Sequence, residues 1–259
     1  MLAALAVLVA ATPAFWLAGA HVRRGRYRAR HGVPDDVPLA SFVREWASVY
    51  VVGWWTLRAR FSDGYRSPPN PTGRPVLCIH GLWADGTTMW GIRRSLEAAG
   101  RPTGALWLGF SGRRVAGYAP RVQAAMHALL ARSDDGIDIV AHSMGGVVVR
   151  FVLAQDEVLA RGVRRVVTLG SPHQGTASLR GFLPVAEIAD LSQDSAFVRG
   201  LPALSPGQWT TVSALDDVIV YPVGTVHLPG ARQVDVPAIG HVGLVVHKEA
   251  HAAIIDALR

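Results

Sequence analysis

An α/β fold, a mostly parallel sheet with helices on both faces preceded by an N-terminal hydrophobic helix, is predicted by three features of the sequence. From residue 74 onward short β-branched runs alternate with helical patterns. The most distinctive polar residues fall just after the predicted strands. The first 20 residues carry no charge. Half of the 259 residues are hydrophobic and 17% are charged, with a mean hydropathy of +0.24, which is enough apolar material for a wide buried sheet and a separate hydrophobic segment.

The alternation runs as follows: Pro75 to His80 a strand, Thr87 to Ala99 a helix, Gly104 to Leu108 a strand, and Ala119 to Arg132 an amphipathic helix. Ile137 to Ala141 is a strand entering a helix from Met144 to about Ala154, and Val163 to Leu169 is a strand. After an irregular stretch come strands near Thr210 to Ala214 and Arg232 to Val236, then a helix from about Leu244 to Leu258. Such alternation implies right-handed crossovers and a parallel sheet covered on both faces. In that architecture chemistry gathers outside the carboxyl ends of the strands, where loops converge and helix N-termini point inward.

Residues 1–22 are expected to form a transmembrane or signal-anchor helix, since about 20 apolar positions suffice for a helix to cross a bilayer core. Ala18-Gly19-Ala20 would also serve as a signal-peptidase site, leaving a secreted or periplasmic protein, and a hydrophobic helix docked on the protein itself is a third reading. Arg23, Arg24, Arg26, Arg28 and Arg30 follow directly and oppose translocation, which favours an anchor of bacterial inner-membrane type. They form the one dense cluster within a formal charge of +7, and Lys248 is the only lysine. Without a nucleic-acid recognition module, that charge points to lipid headgroups as the partner and not to nucleic acid.

Residues 23–73 read as the basic flank, an aromatic-rich juxtamembrane helix and a Pro-rich linker. Trp46, Tyr50, Trp54, Trp55 and Phe61 interleave with Arg44, Glu45, Arg58 and Arg60, a mixture that suits a membrane interface and equally suits packing on the catalytic domain. Ser67-Pro68-Pro69-Asn70-Pro71-Thr72-Gly73 excludes both helix and central strand, so the catalytic domain is set at 74–259. Cys78, the single cysteine, lies in an apolar run and reads as a core side chain.

The strand from Ile137 runs into Ala141-His142-Ser143-Met144-Gly145-Gly146 and then a helix. A serine on so tight a turn is forced into a strained backbone and needs small residues two places either side, here Ala141 and Gly145. This resembles the G-x-S-x-G nucleophile elbow of the α/β-hydrolases, with alanine in place of the first glycine. The resemblance implies Ser143 as nucleophile, followed in the chain by an acid and then a histidine. His142 reads as a structural neighbour of the elbow.

Three histidines follow the last predicted strand. His241 sits between Gly240 and Gly243 in a loop, whereas His247 and His251 fall within the predicted helix, so His241 is the expected base. His247 and His251 have a zinc-like i, i+4 spacing, but Glu249 is one place off H-E-x-x-H and Lys248 repels a cation, so no metal or other cofactor is expected. Asp216 and Asp217 are adjacent after a strand, and either carboxylate would orient the imidazole.

Ile79-His80-Gly81-Leu82, the serine elbow, Thr168-Leu169-Gly170-Ser171-Pro172-His173-Gln174-Gly175-Thr176 and Gly240-His241-Val242-Gly243-Leu244 together resemble the small bacterial triacylglycerol lipase and esterase family, over about residues 75–258. The family's D-x-[IL]-V-x-P arrangement fits Asp217 with Ile219, Val220 and Pro222. Its His-Gly loop implies Leu82 and Met144 as the oxyanion-hole donors. Ser171 to Thr176 would shape the substrate cleft, and Ala177 to Gln208, with Phe182, Leu183, Phe197 and Leu201, would form an apolar flap. The implied function is hydrolysis of lipid-like carboxylic esters through an acyl-enzyme, with a membrane acyltransferase or lipid-remodelling deacylase on the same triad as the alternative.

Overall fold

Seven strands make one sheet: β1 (Tyr65–Arg66), β2 (Val76–Ile79), β3 (Thr103–Leu106), β4 (Ile137–His142), β5 (Val163–Leu169), β6 (Trp209–Ala214) and β7 (Arg232–Val236). Their order is β1-β3-β2-β4-β5-β6-β7. Only the two-residue edge strand β1 is antiparallel; the other five pairings are parallel. The structure, a computed structural model, describes residues 2–32, 37–59, 65–178, 185–202 and 207–259.

Alternation along each strand divides the core in two. Leu77, Ile79, Ile137 and Ile139 face a cluster with Met126 of α4 (Ala119–Leu130) and Val147 and Val148 of α5 (Met144–Leu153). Val76, Cys78, Val140 and Val212 face the other cluster, with Ile92 of α3 (Trp90–Ala98) and Ile254 of the helix Lys248–Ala257. This is the period-two pattern of a sheet buried on both faces. Burial pushes the Cys78 thiol up to about 12, so it stays protonated and inert.

The sequence-predicted elements are present with small shifts in their ends, and two differences bear on the site. The last helix is two helices, Gly243–Val246 and Lys248–Ala257. His247 lies in the break with extended backbone (φ −85, ψ 140), not inside a helix. The stretch expected to be an irregular flap contains helices Ala186–Leu191 and Ala196–Arg199. There Leu201 is buried and Phe197 stacks 5.5 Å from Phe151, so both belong to the core. Phe182 and Leu183 lie outside the described residues.

The N-terminal segment forms α1 (Leu2–His31) and α2 (Leu39–Ala59). Among the described residues no helix is long and apolar enough to cross a membrane; the side chains of residues 1–16, the greater part of the expected anchor, lie outside them. The helix runs on through Arg23 to Arg30, and the last part of its apolar stretch packs against the rest of the protein. Leu17 and Ala20 are fully buried against Val218, with Phe42 and Val49 of α2 packed around them. Arg24 follows them inward and is 2% exposed. The docking reading describes this part of the helix.

α2 buries three polar residues beside its packed apolar ones and turns a second apolar side outward. Ser41, Glu45 and Ser48, spaced as one helical face, are buried. Val43, Trp46, Tyr50, Trp54 and Leu57, on the opposite side, are exposed.

Candidate active site

Strands β2 and β4 are in register at Ile79 and Ala141, so Gly81 and Ser143, each two residues on, meet beyond the carboxyl edge of the sheet. They meet closely. A Cβ on Gly81 would lie 2.8 Å from Ser143 Cβ and 3.3 Å from its Oγ, and only glycine fits. Because the strand order reverses around β2, this pair occupies the topological switch point, where open α/β sheets form their crevice.

Ser143 has φ 55 and ψ −128, a region avoided by residues with a Cβ at a cost of roughly 1–3 kcal/mol. The turn is enforced from both sides. A Cβ on Gly145 would come within 2.5 Å of the His80 carbonyl oxygen, while Ala141 is accommodated in the core with no exposed surface. The Ser143 N–H donates to the Leu169 carbonyl at 2.8 Å. Its side chain is partly exposed, and among the described residues its hydroxyl forms no hydrogen bond.

His80 orders the facing loop. The Leu108 N–H donates to its Nε2 at 2.9 Å, so the ring proton sits on Nδ1 and donates to the Gly81 carbonyl at 2.7 Å. Burial lowers the His80 pKa and keeps the ring neutral. An N–H points opposite to the carbonyl of its own peptide, so this bond turns the Leu82 N–H away from His80. Met144 opens α5, and its N–H is one of the donors that a helix start leaves unpaired.

Asp217 follows β6 and His241 follows β7, strands paired through Ala214 and Val236. Asp217 Oδ2 accepts from His241 Nδ1 at 2.7 Å, while Asp217 Oδ1 accepts from the Ile219 and Val220 N–H groups, both at 2.7 Å. Asp216 turns away and accepts from the Ser41 hydroxyl at 2.6 Å. His241 is 5% exposed and Asp217 1%. Burial alone would lower the His241 pKa, but the charge and hydrogen bond of Asp217, with the charge of Glu45, carry it above the ordinary 6.5.

Neighbouring groups fix the ring further. His142, kept neutral by burial, donates from Nε2 to the His241 carbonyl at 3.1 Å. Gly170 adopts φ +55, and a Cβ there would press within 3.0 Å of His241 Nδ1. That gives Gly170 a role the sequence did not reveal, room for the imidazole. Ser171, His173 and Thr176 are buried. Thr176 Oγ1 donates to the Ile219 carbonyl at 3.0 Å, and the Gln174 N–H to the Thr225 carbonyl at 2.9 Å. The segment expected to shape the cleft therefore braces the loop that carries the acid.

Three polar groups from the N-terminal helices reach this site, none of them assigned to it from the sequence, where Arg24 was expected at lipid headgroups. Arg24 Nη1 donates to the Asp217 carbonyl at 2.6 Å. Ser41 binds Asp216, and Glu45 accepts from the backbone N–H groups of Val242 and Gly243 at 2.6 and 2.9 Å. The zinc-like pair is otherwise engaged. His247 Nε2 meets the Ser48 hydroxyl at 3.1 Å, and His251 meets the Ser95 hydroxyl and the Val245 carbonyl.

A family model described as the PGAP1-like alpha/beta domain matches residues 112–181. Among solved structures, lipase B of Aspergillus fumigatus superposes with a TM-score of 0.63 at 17% identity, over 75% of this chain and 56% of that one. The chain thus spans little more than half the length of that lipase. The mature lipase BlEst2 of Bacillus licheniformis gives 0.63 at 13% identity, over 75% and 97%. A bromoperoxidase of Bacillus anthracis gives 0.53 at 14%, over 75% and 94%. Likeness at these identities concerns the fold, and one fold serves several chemistries.

Proposed function

We propose that this chain, whose fold is that of the α/β-hydrolases, hydrolyses carboxylic esters of lipid-like substrates with Ser143 as nucleophile, His241 as base and Asp217 as orienting acid. The observation that carries the reading is the buried 2.7 Å contact of His241 with Asp217, joined through the His142 ring, which meets the His241 carbonyl, to a serine held at positive φ directly after His142. Nδ1 keeps its proton on Asp217, so Nε2 is the nitrogen left to accept one. Ser143 Oγ attacks the ester carbonyl carbon as its proton passes to Nε2. The developing oxyanion takes hydrogen bonds from the Leu82 and Met144 N–H groups. The C–O bond to the alcohol breaks, and the alcohol leaves with the proton from Nε2. Water, deprotonated by the same nitrogen, then releases the carboxylic acid and restores the serine.

Labelling with a fluorophosphonate and turnover of nitrophenyl esters of graded chain length test the proposal. Peptide mapping should find the label on Ser143, and absence of both labelling and turnover would end the reading. Acyl transfer to an added alcohol in preference to water would move the assignment to an acyltransferase.

The base works only when neutral, which sets the pH response. With the His241 pKa raised, kcat/KM should climb with pH through a midpoint above 6.5 and level off beyond it. A midpoint well below 6.5 would mean that His241 is not the titrating group.

We further propose that the protein works at a lipid surface through the aromatic face of α2. Exposed Val43, Trp46, Tyr50, Trp54 and Leu57 supply side chains suited to the headgroup boundary, and exposed Arg26 and Arg30 on α1 supply cations. The protein should float with anionic vesicles, and a Trp46→Ala, Trp54→Ala double variant should bind them more weakly while retaining soluble-ester turnover. Equal flotation of both forms would refute this mode of attachment.

A further inference from the structure

We infer that Glu45, contributed by a helix outside the sheet domain, is a positioning residue for His241: its carboxylate fixes the backbone of the loop that presents the imidazole. The inference rests on the hydrolase reading above. Glu45 is 3% exposed, and both of its oxygens are engaged by that loop, Oε1 by the Val242 N–H at 2.6 Å and Oε2 by the Gly243 N–H at 2.9 Å. These are the two peptide groups directly after His241. On the other side of the histidine, a Cβ on Gly240 would stand 2.6 Å from the Glu45 carboxyl carbon. The carboxylate therefore closes on the loop from both sides of the catalytic ring. A buried carboxylate is expensive unless it is hydrogen-bonded, and among the described residues these two N–H groups are the donors that Glu45 has.

The neighbours make this a clamp and not an isolated contact. Arg44 donates to the Ala238 carbonyl at 2.8 Å, three residues before His241, and lies 3.4 Å from His247 Nδ1. Arg24, from α1, holds the Asp217 carbonyl. The charged and titratable groups around His241 and Glu45 are thus Asp217 from the loop after β6, His142 at the end of β4, Arg24 from α1, Arg44 from α2, and His247 with Glu249 at the start of the last helix.

Charge follows geometry. Burial raises the Glu45 pKa from 4.5 to about 7 against the lowering effect of the two N–H donors, and the Glu45 charge helps to raise that of His241. As pH falls through neutrality Glu45 takes up a proton, and His241 takes up its own above its ordinary 6.5. The acid limb of kcat/KM should therefore be steeper than a single protonation allows.

Glu45→Gln, nearly isosteric, removes the charge and sets an amide N–H₂ against a backbone donor. On the nitrophenyl ester turned over best by the wild type, kcat should fall about 10- to 100-fold with KM little changed, the scale of a small displacement of a catalytic group. The acid limb should move to lower pH, because a charge that favoured imidazolium is gone, and its slope should fall to one proton. Glu45→Asp, retaining the charge on a shorter stem, should restore the wild-type midpoint while recovering only part of kcat. A Glu45→Gln protein with wild-type kcat, midpoint and slope would overturn the inference while leaving the hydrolase reading intact. Loss of turnover and labelling in the wild type would overturn both. Should Glu45→Gln not fold, Glu45→Asp decides, and a wild-type kcat in that shortened variant defeats the inference.

Discussion

Replacing Ser143 with alanine should abolish ester turnover, with a loss on the order of a millionfold in kcat, as removal of a triad serine costs elsewhere. That factor corresponds to about 8 kcal/mol of activation free energy. It is so large because histidine, acid and oxyanion donors all act on the one oxygen that is removed. The fold should survive. Alanine bears the same Cβ as serine at φ 55, and the hydroxyl forms no hydrogen bond among the described residues whose loss would have to be offset. Fluorophosphonate labelling should disappear with turnover, while the thermal midpoint stays near that of the wild type. Persistence of either signal in a folded variant would place the nucleophile elsewhere.

Asp217→Asn is the second large effect, a loss of about 10⁴-fold in kcat by analogy with the same change in serine proteases. The carboxylate uses both oxygens as acceptors, one for two backbone N–H groups and one for His241 Nδ1. An amide has a single acceptor oxygen. If that oxygen stays on the Ile219 and Val220 N–H groups, the amide N–H₂ faces Nδ1, which must then accept. The ring proton moves to Nε2, and the imidazole cannot take the proton of the serine. Substrate binding should change little. Asp216→Asn, which alters only the partner of Ser41, should leave kcat within a few-fold of wild type. Reversal of that order would make Asp216 the acid.

Much of this arrangement was legible in the sequence because it depends on local rules. The period-two strands and the glycine pair after Ser143 are forced by backbone geometry. A histidine between two glycines can be carried over a sheet edge, and the structure puts His241 there. Asp217 could be separated from Asp216 only through the register of related lipases, since adjacent residues satisfy any local rule about equally well. The break at His247 was hidden because the apolar spacing from Leu244 to Ile254 suits one helix as well as two.

What the sequence concealed depends on distant partners. A run of apolar residues reads the same whether it meets lipid or protein, and the contact of Leu17 and Ala20 with Val218 reveals a protein partner for the end of that run. Ser41, Glu45 and Ser48 lie on a helix whose other side is tryptophan and tyrosine, and hydropathy would turn the aromatic side inward. The structure turns it outward because the inward side meets backbone donors and the polar end of another loop. The one trace available in the sequence was the helical spacing of these three polar residues, and a solvated surface produces the same spacing.

The same helix also bears on how the protein is made. Glu45 leaves the ribosome 198 residues ahead of Gly243, whose N–H it will bind, an interval of roughly 10–40 s at bacterial and eukaryotic elongation rates. Throughout that time the glutamate must remain hydrated, and the loop it will grip does not yet exist. On the proposed reading the nascent polypeptide carries Ser143 long before it can use it, and competence to cleave esters would arrive only when segments 198 residues apart come together.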